Sequence, residues 1–87
     1  MALINGIWLD DIFAQETPTG TVDGVNTDFT ISATPHSDTG IVVFLNGLPQ
    51  ILGVHWNLNM STPTIIEFVT APAPGQSVYV WYVKGRA

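Results

Sequence analysis

Few residues in this chain have the types and spacing that chemistry needs. His36 and His55 stand far apart, there is no cysteine, and no pair of acids lies at metal-ligand spacing beside either histidine. Both therefore read as surface or strand residues rather than ligands. Asp23, Asp28 and Asp38 fall in turn-like stretches, and Glu67 interrupts an apolar run. For Asp23 the reading is a turn cap, with a lone calcium site built from loop carboxylates and carbonyls as the alternative. Glycoside hydrolysis would need two placed carboxylates, and nothing marks such a pair. No serine has a histidine and an acid arranged around it, and no glycine-rich phosphate loop precedes a helix. The expectation is a non-enzymatic protein with no catalytic residue, no cofactor and no metal.

The aromatic residues pose a sharper question. Trp56, Tyr79, Trp81 and Tyr82 could form a stacking platform for sugar, as in a glycan-binding module. The competing reading is core and interface, because Trp and Tyr are enriched in buried contact patches. The second is preferred here.

The elements that must carry these residues are strands. From Gly20 onward, short β-branched and aromatic runs alternate with Asp-Gly, Asn-Gly and Pro-Gly signals, the punctuation of an all-β sandwich or barrel. The expected strands cover 28–33, with Phe29, Ile31 and Ala33 on one face, then 41–47, apolar on both faces, after a polar loop at 36–40. Asn46-Gly47 predicts a tight hairpin turn, since both residues tolerate positive φ. Pro49 cannot donate to a ladder, which places the returning strand at an edge. Residues 54–59 should set Val54, Trp56 and Leu58 on one face, and 64–70 should turn Ile66 and Phe68 inward with Glu67 opposite. In the last strand, 77–83, Val78, Val80 and Tyr82 oppose Tyr79, Trp81 and Val83. Both of its sides are apolar or aromatic, so the side away from the core needs a cover.

Composition points the same way. The 87 residues make one domain, 46 % hydrophobic and only 10 % charged, against roughly 25 % charged in an ordinary globular domain. That shortage of charge implies an oligomer or a docked subunit. The net charge is -5, with Lys84 and Arg86 the only cations, so binding to nucleic acid or to an anionic membrane is disfavoured. The opening stretch, "LINGIWLDDIF" at 3–13, is too short to span a bilayer and lacks the basic region of a signal peptide. As a helix it would stack Ile4, Trp8 and Ile12, but Gly6 opposes that. An arm with a helical turn or two is the expectation. Its apolar side chains, Leu3, Ile4, Ile7, Trp8, Leu9, Ile12 and Phe13, would be worth roughly 1.5 to 3 kcal/mol each if buried on a neighbour. Folding back as a lid on its own domain is the other possibility, and the proline-marked "AQETPTG" boundary favours the arm.

The order of several motifs resembles a small β module of tailed-bacteriophage structural proteins. Glu16, Pro18, Gly20, Asp23, Gly24, Asn26 and Phe29 carry its opening. Val43, Phe44, Asn46, Gly47 and Gln50 carry its hairpin; Ile66, Phe68, Ala71, Pro72, Gly75 and the strand ending at Tyr82 carry its close. The likeness spans roughly 16–83, most of the chain, and departs at His55-Trp56, where such modules tend to have Asp-Tyr. It implies a virion building block of tail fibre, baseplate, head fibre or capsid decoration. Starting with its own Met and ending just after the last strand, the chain looks like a free-standing subunit. The fold expected is an antiparallel β-sandwich, Ig-like or jelly-roll-like, over 18–87, with an apolar anchoring arm or short helix at 1–17. The partner-binding residues are the seven arm side chains with Tyr79 and Trp81. The partners are copies of itself, a trimer favoured, and a larger capsid or tail protein. A carbohydrate-binding module of a phage fibre is the alternative, with a glycan as its ligand.

Overall fold

The computed structural model describes residues 3–4, 7–8 and 13–84. Among these residues nine strands run in chain order: β1 (Leu3–Ile4), β2 (Ile7–Trp8), β3 (Phe13–Glu16), β4 (Asp28–Thr30), β5 (Ile41–Leu45), β6 (Leu48–Gln50), β7 (Trp56–Leu58), β8 (Ile65–Phe68) and β9 (Val78–Val83). All pairings between them are antiparallel. A four-stranded sheet has the order β3-β9-β5-β6 and a three-stranded sheet the order β4-β8-β7, while β1 and β2 pair only with each other. One 3-10 turn, Asp38–Gly40, leads into β5, and no α-helix occurs among the described residues.

The period-2 patterns make two facing sheets out of these strands. Phe29, Trp56, Leu58, Ile66 and Phe68 from the smaller sheet meet Ile41, Val43, Val78, Val80 and Tyr82 from the larger one, and Ile31 just beyond β4 completes a single buried cluster. Phe29 and Phe68 pack edge to face at 5.5 Å between ring centres, a favoured geometry for two quadrupoles. Within the two larger sheets, β5–β6 and β7–β8 join neighbours, and the connections after β3, β4, β6 and β8 all cross from one sheet to the other. The arrangement is sandwich-like.

Turn chemistry sets these connections. Asn46 and Gly47 take φ of 53° and 79°, as a two-residue hairpin with both central residues left-handed requires. The Asn46 side chain then accepts from the Ser77 amide at 2.8 Å, tying the hairpin to the start of β9. Pro49 lies on β6, an edge strand, as expected. Asp23 caps its own turn, its Oδ1 accepting from the amides of Val25 at 2.9 Å and Asn26 at 2.8 Å. Those two amide bonds, Asn26 first, hold its carboxyl below the ordinary value. Asn26 in turn bonds Thr21 and Asp28, so the Asp-Gly-Val-Asn run is a self-contained structural turn.

Three local expectations are corrected. Strand β4 ends at Thr30, and Ile31 is held by its amide bond to the Thr64 carbonyl rather than by continued pairing. Val54 is not on the inner face with Trp56 and Leu58; it is 59 % exposed. There the chain folds into a turn in which the Val54 and His55 amides both donate to the Ile51 carbonyl, and the strand starts only at Trp56. The helical turns expected in the N-terminal segment are absent over the described part: Leu3 faces Trp8 and Ile4 faces Ile7 in an antiparallel pair.

Gly20 marks a close approach. A Cβ there would meet Phe29 Cδ2 at 2.5 Å and the Asp28 carbonyl at 3.0 Å, with Phe29 fixed in the core. Gly20→Ala should therefore lower stability by about 1–3 kcal/mol, the usual cost of overpacking, read as a lower urea midpoint. An unchanged midpoint would mean that the Phe29 ring yields freely.

Candidate functional site

The larger sheet has a second face. On β9, Tyr79, Trp81 and Val83 point away from the core; on β5 so do Val42 and Phe44, on β3 Phe13 and Gln15, and on β6 Pro49. Register brings them into one patch. Trp81 lies between Gln15 and Val42, Phe13 is opposite Val83, and Phe44 is flanked by Tyr79 and Pro49. The Phe44 and Trp81 rings meet edge to face at 5.2 Å. Trp81 is 52 %, Phe13 49 % and Val42 40 % exposed. None of these outward positions carries a charge.

The opposite outer surface differs. On the three-stranded sheet, Asp28 is paired across from Glu67, which is flanked by Asn57, and the Asn59 amide donates to Glu67 at 3.3 Å. One outer face is thus polar and acidic, and the other is uncharged and aromatic.

Strand β3 is held in place by a carboxylate. Glu16 is on its inner side, across from Val80. Its Oε2 accepts from the Tyr82 hydroxyl at 2.6 Å and the Ser32 hydroxyl at 2.8 Å, and the Ser32 amide donates to both carboxylate oxygens at 3.2 Å. Desolvation acts against the charge, and the bonds from Tyr82 and Ser32 outweigh it, so the carboxyl titrates below its ordinary value. Burial, and then the bond to Glu16, raise the Tyr82 phenol. The clasp joins an edge strand of the larger sheet to the segment that follows β4 in the smaller one, and so fixes the strand that presents Phe13.

The site residues expected from sequence divide into three groups. Phe13, Tyr79 and Trp81 are brought together on the aromatic face. Leu3, Ile4, Ile7 and Trp8 belong to the β1–β2 pair, while Leu9 and Ile12 lie outside the described residues. A division at residue 17 would assign β3 to the arm, although β3 pairs with β9 along its whole length. Val42, Phe44 and Pro49 also belong to the face. For Val42 and Phe44 the signal was the two-sided apolar run at 41–45, which identified a covered strand without saying that its outer face would join that of β9.

Other sites offer less. Of the four rings considered as a sugar platform, Trp56 is 1 % and Tyr82 2 % exposed, so both belong to the core. A cleft of about 300 Å³ at one end of the sandwich is lined by Gln50, His55, Phe68, Thr70 and Gln76 among others. Its polar groups are largely engaged: the Gln50 amide donates to the Leu48 carbonyl, Gln76 accepts from the Ala73 amide, and His55 Nδ1 accepts from the Ile51 amide. Among the described residues no group of three or more His, Cys, Asp or Glu could hold a metal. No helix there is long and apolar enough to cross a membrane.

Fold and site thus define a class, an antiparallel two-sheet β protein with one acidic and one uncharged aromatic outer face. No family model, curated protein or solved structure matches the chain.

Because the folded pKa of Glu16 lies below its ordinary 4.5, its contribution is complete above the unfolded pKa and is lost as pH falls through the folded one. Glu16→Gln should cost about 1 kcal/mol at pH 7, after discounting for partial exposure. It should also weaken the acid dependence of stability below about pH 4.5, measured by urea titration at several pH values. Parallel acid limbs in the two proteins would rule the clasp out.

Proposed function

We propose that the chain is a non-enzymatic structural protein of a tailed-phage particle, docking through its aromatic sheet face and apolar N-terminal segment onto neighbouring subunits. Capsid decoration, head fibre and tail component all fit that role, and the virion is the corresponding location. The observation that carries the reading is the uncharged face around Trp81. Strands β5 and β9 are apolar on both sides, the pattern of strands covered on both faces, yet one of those faces is open in the single chain. The partners are further copies of the chain and a larger shell or tail protein. The motif order from Glu16 to Tyr82, with its resemblance to phage structural modules, supplies the biological setting. Two antiparallel sheets around one core suit an Ig-like or jelly-roll-like sandwich, to which the N-terminal segment adds an arm.

Glycan binding by a phage fibre is the second reading. What favours it is the pairing of exposed Trp81 with half-buried Tyr79; what weighs against it is the loss of Trp56 and Tyr82 to the core and the absence of charge on the face.

If the primary reading holds, mass spectrometry of gradient-purified particles made from the genome that encodes this chain will find it at stoichiometric level. Trp81→Glu, or the pair Ile4→Asp and Ile7→Asp, will deplete it from particles at least tenfold while the soluble protein stays folded. Particles that lack the wild-type chain would refute the role. Retention of the variants would refute the surface.

A further inference from the structure

The face and the opposite sheet together indicate what packs on the face. We infer that it is the same face of a second copy, in a two-fold dimer centred on Trp81; this rests on the reading of the face as a contact surface. An acidic chain of net charge -5 opposes self-association unless its charges are kept out of the contact. Among the described residues no acid stands on an outward position of the larger sheet: Glu16 points into the clasp, Asp23 lies before β4 and Asp28 on it, Asp38 is in the turn before β5, and Glu67 is on the opposite outer surface. An uncharged aromatic face is complementary to itself. It does not match the polar face carrying Asp28, Asn57 and Glu67, so stacking one sheet on the back of another would bury acids without partners. A surface that matches itself makes an isologous contact, which closes as a dimer. Two twisted sheets meeting this way pack about 10 Å apart with their side chains interdigitated.

Size sets the strength. Four strands of 4, 6, 5 and 3 residues, spaced about 4.8 Å apart, give a footprint of roughly 300 Å², well under half of what one partner contributes to a standard interface. The dimer is therefore of modest affinity and dissociates on dilution. Its contact is apolar, so added salt should screen the like net charges and leave the dimer as tight or tighter, whereas a charge-complementary contact would loosen.

The test is sedimentation velocity of the full chain over a range of concentrations and at low and high salt, with Trp81→Glu and Val42→Glu beside the wild type. Val42 pairs directly with Trp81, and both are exposed, so the variants should keep the wild-type melting temperature. The expected result is a monomer–dimer equilibrium in the wild type, unweakened by salt, with a dissociation constant raised at least tenfold in both variants. A wild type that stays monomeric up to about 0.1 mM, a trimer or ring, or a dimer that survives both substitutions in folded protein would each overturn the inference. A monomeric chain that is nonetheless found in purified particles would leave the docking role intact with a different subunit on the face. A dimer that never enters particles would do the reverse.

Discussion

The structure depends on a single constraint: β9 is apolar on both sides and stands between β3 and β5 in the larger sheet. Val78, Val80 and Tyr82 are at most 4 % exposed, and with Ile41 and Val43 they are the surface on which the smaller sheet closes. The alternation that turns those three inward forces Tyr79, Trp81 and Val83 outward, because successive side chains on a strand must oppose each other. Core and candidate contact surface are thus two consequences of one hexapeptide.

Around that strand the remaining features act as fasteners. The Glu16 carboxylate gathers Tyr82 and Ser32, holding β3 against β9 and linking the two sheets near one edge. Asn46 fastens the β5–β6 hairpin to Ser77. Asp23 and Asn26 shape the entry to β4, and the Gly24 amide reaches across to the Pro72 carbonyl at 2.9 Å. Of the described acids, Asp23 caps a turn, Glu16 clasps β3, and Asp28 and Glu67 stand on the outer surface opposite the aromatic one. Charge is scarce in this protein, and none of the described acids stands on the aromatic face.

Much of the β core was legible in the sequence, for reasons specific to its residues. Phe29, Ile66 and Phe68 alternate with polar neighbours, and Asn46-Gly47 before Pro49 fixes both a turn and an edge. Where the reading failed, a local bond had overridden the pattern. Val54 continues the period set by Trp56 and Leu58, but the carbonyl of Ile51 captures the amides of Val54 and His55 and makes a turn instead. The role of Glu16 was hidden because its partners Ser32 and Tyr82 are 16 and 66 residues away, and no local spacing encodes such a bond. Of the site, Tyr79 and Trp81 could be read from β9 alone. Their union with Phe13, Val42, Phe44 and Pro49 required the strand order, which short antiparallel strands with crossing connections do not reveal. Four aromatic residues that looked equivalent in sequence were separated by burial, two into the core and two onto the face.

The central claim, that the face around Trp81 is covered when the protein is at work, is tested most directly by hydroxyl-radical footprinting of the wild-type chain as its concentration is raised. Met60, 74 % exposed in the loop after β7, serves as the internal reference. The account predicts that labelling of Trp81 and Phe13 falls with concentration while labelling of Met60 stays constant. Labelling of Trp81 that never changes relative to Met60, in free protein or in particles, would contradict it.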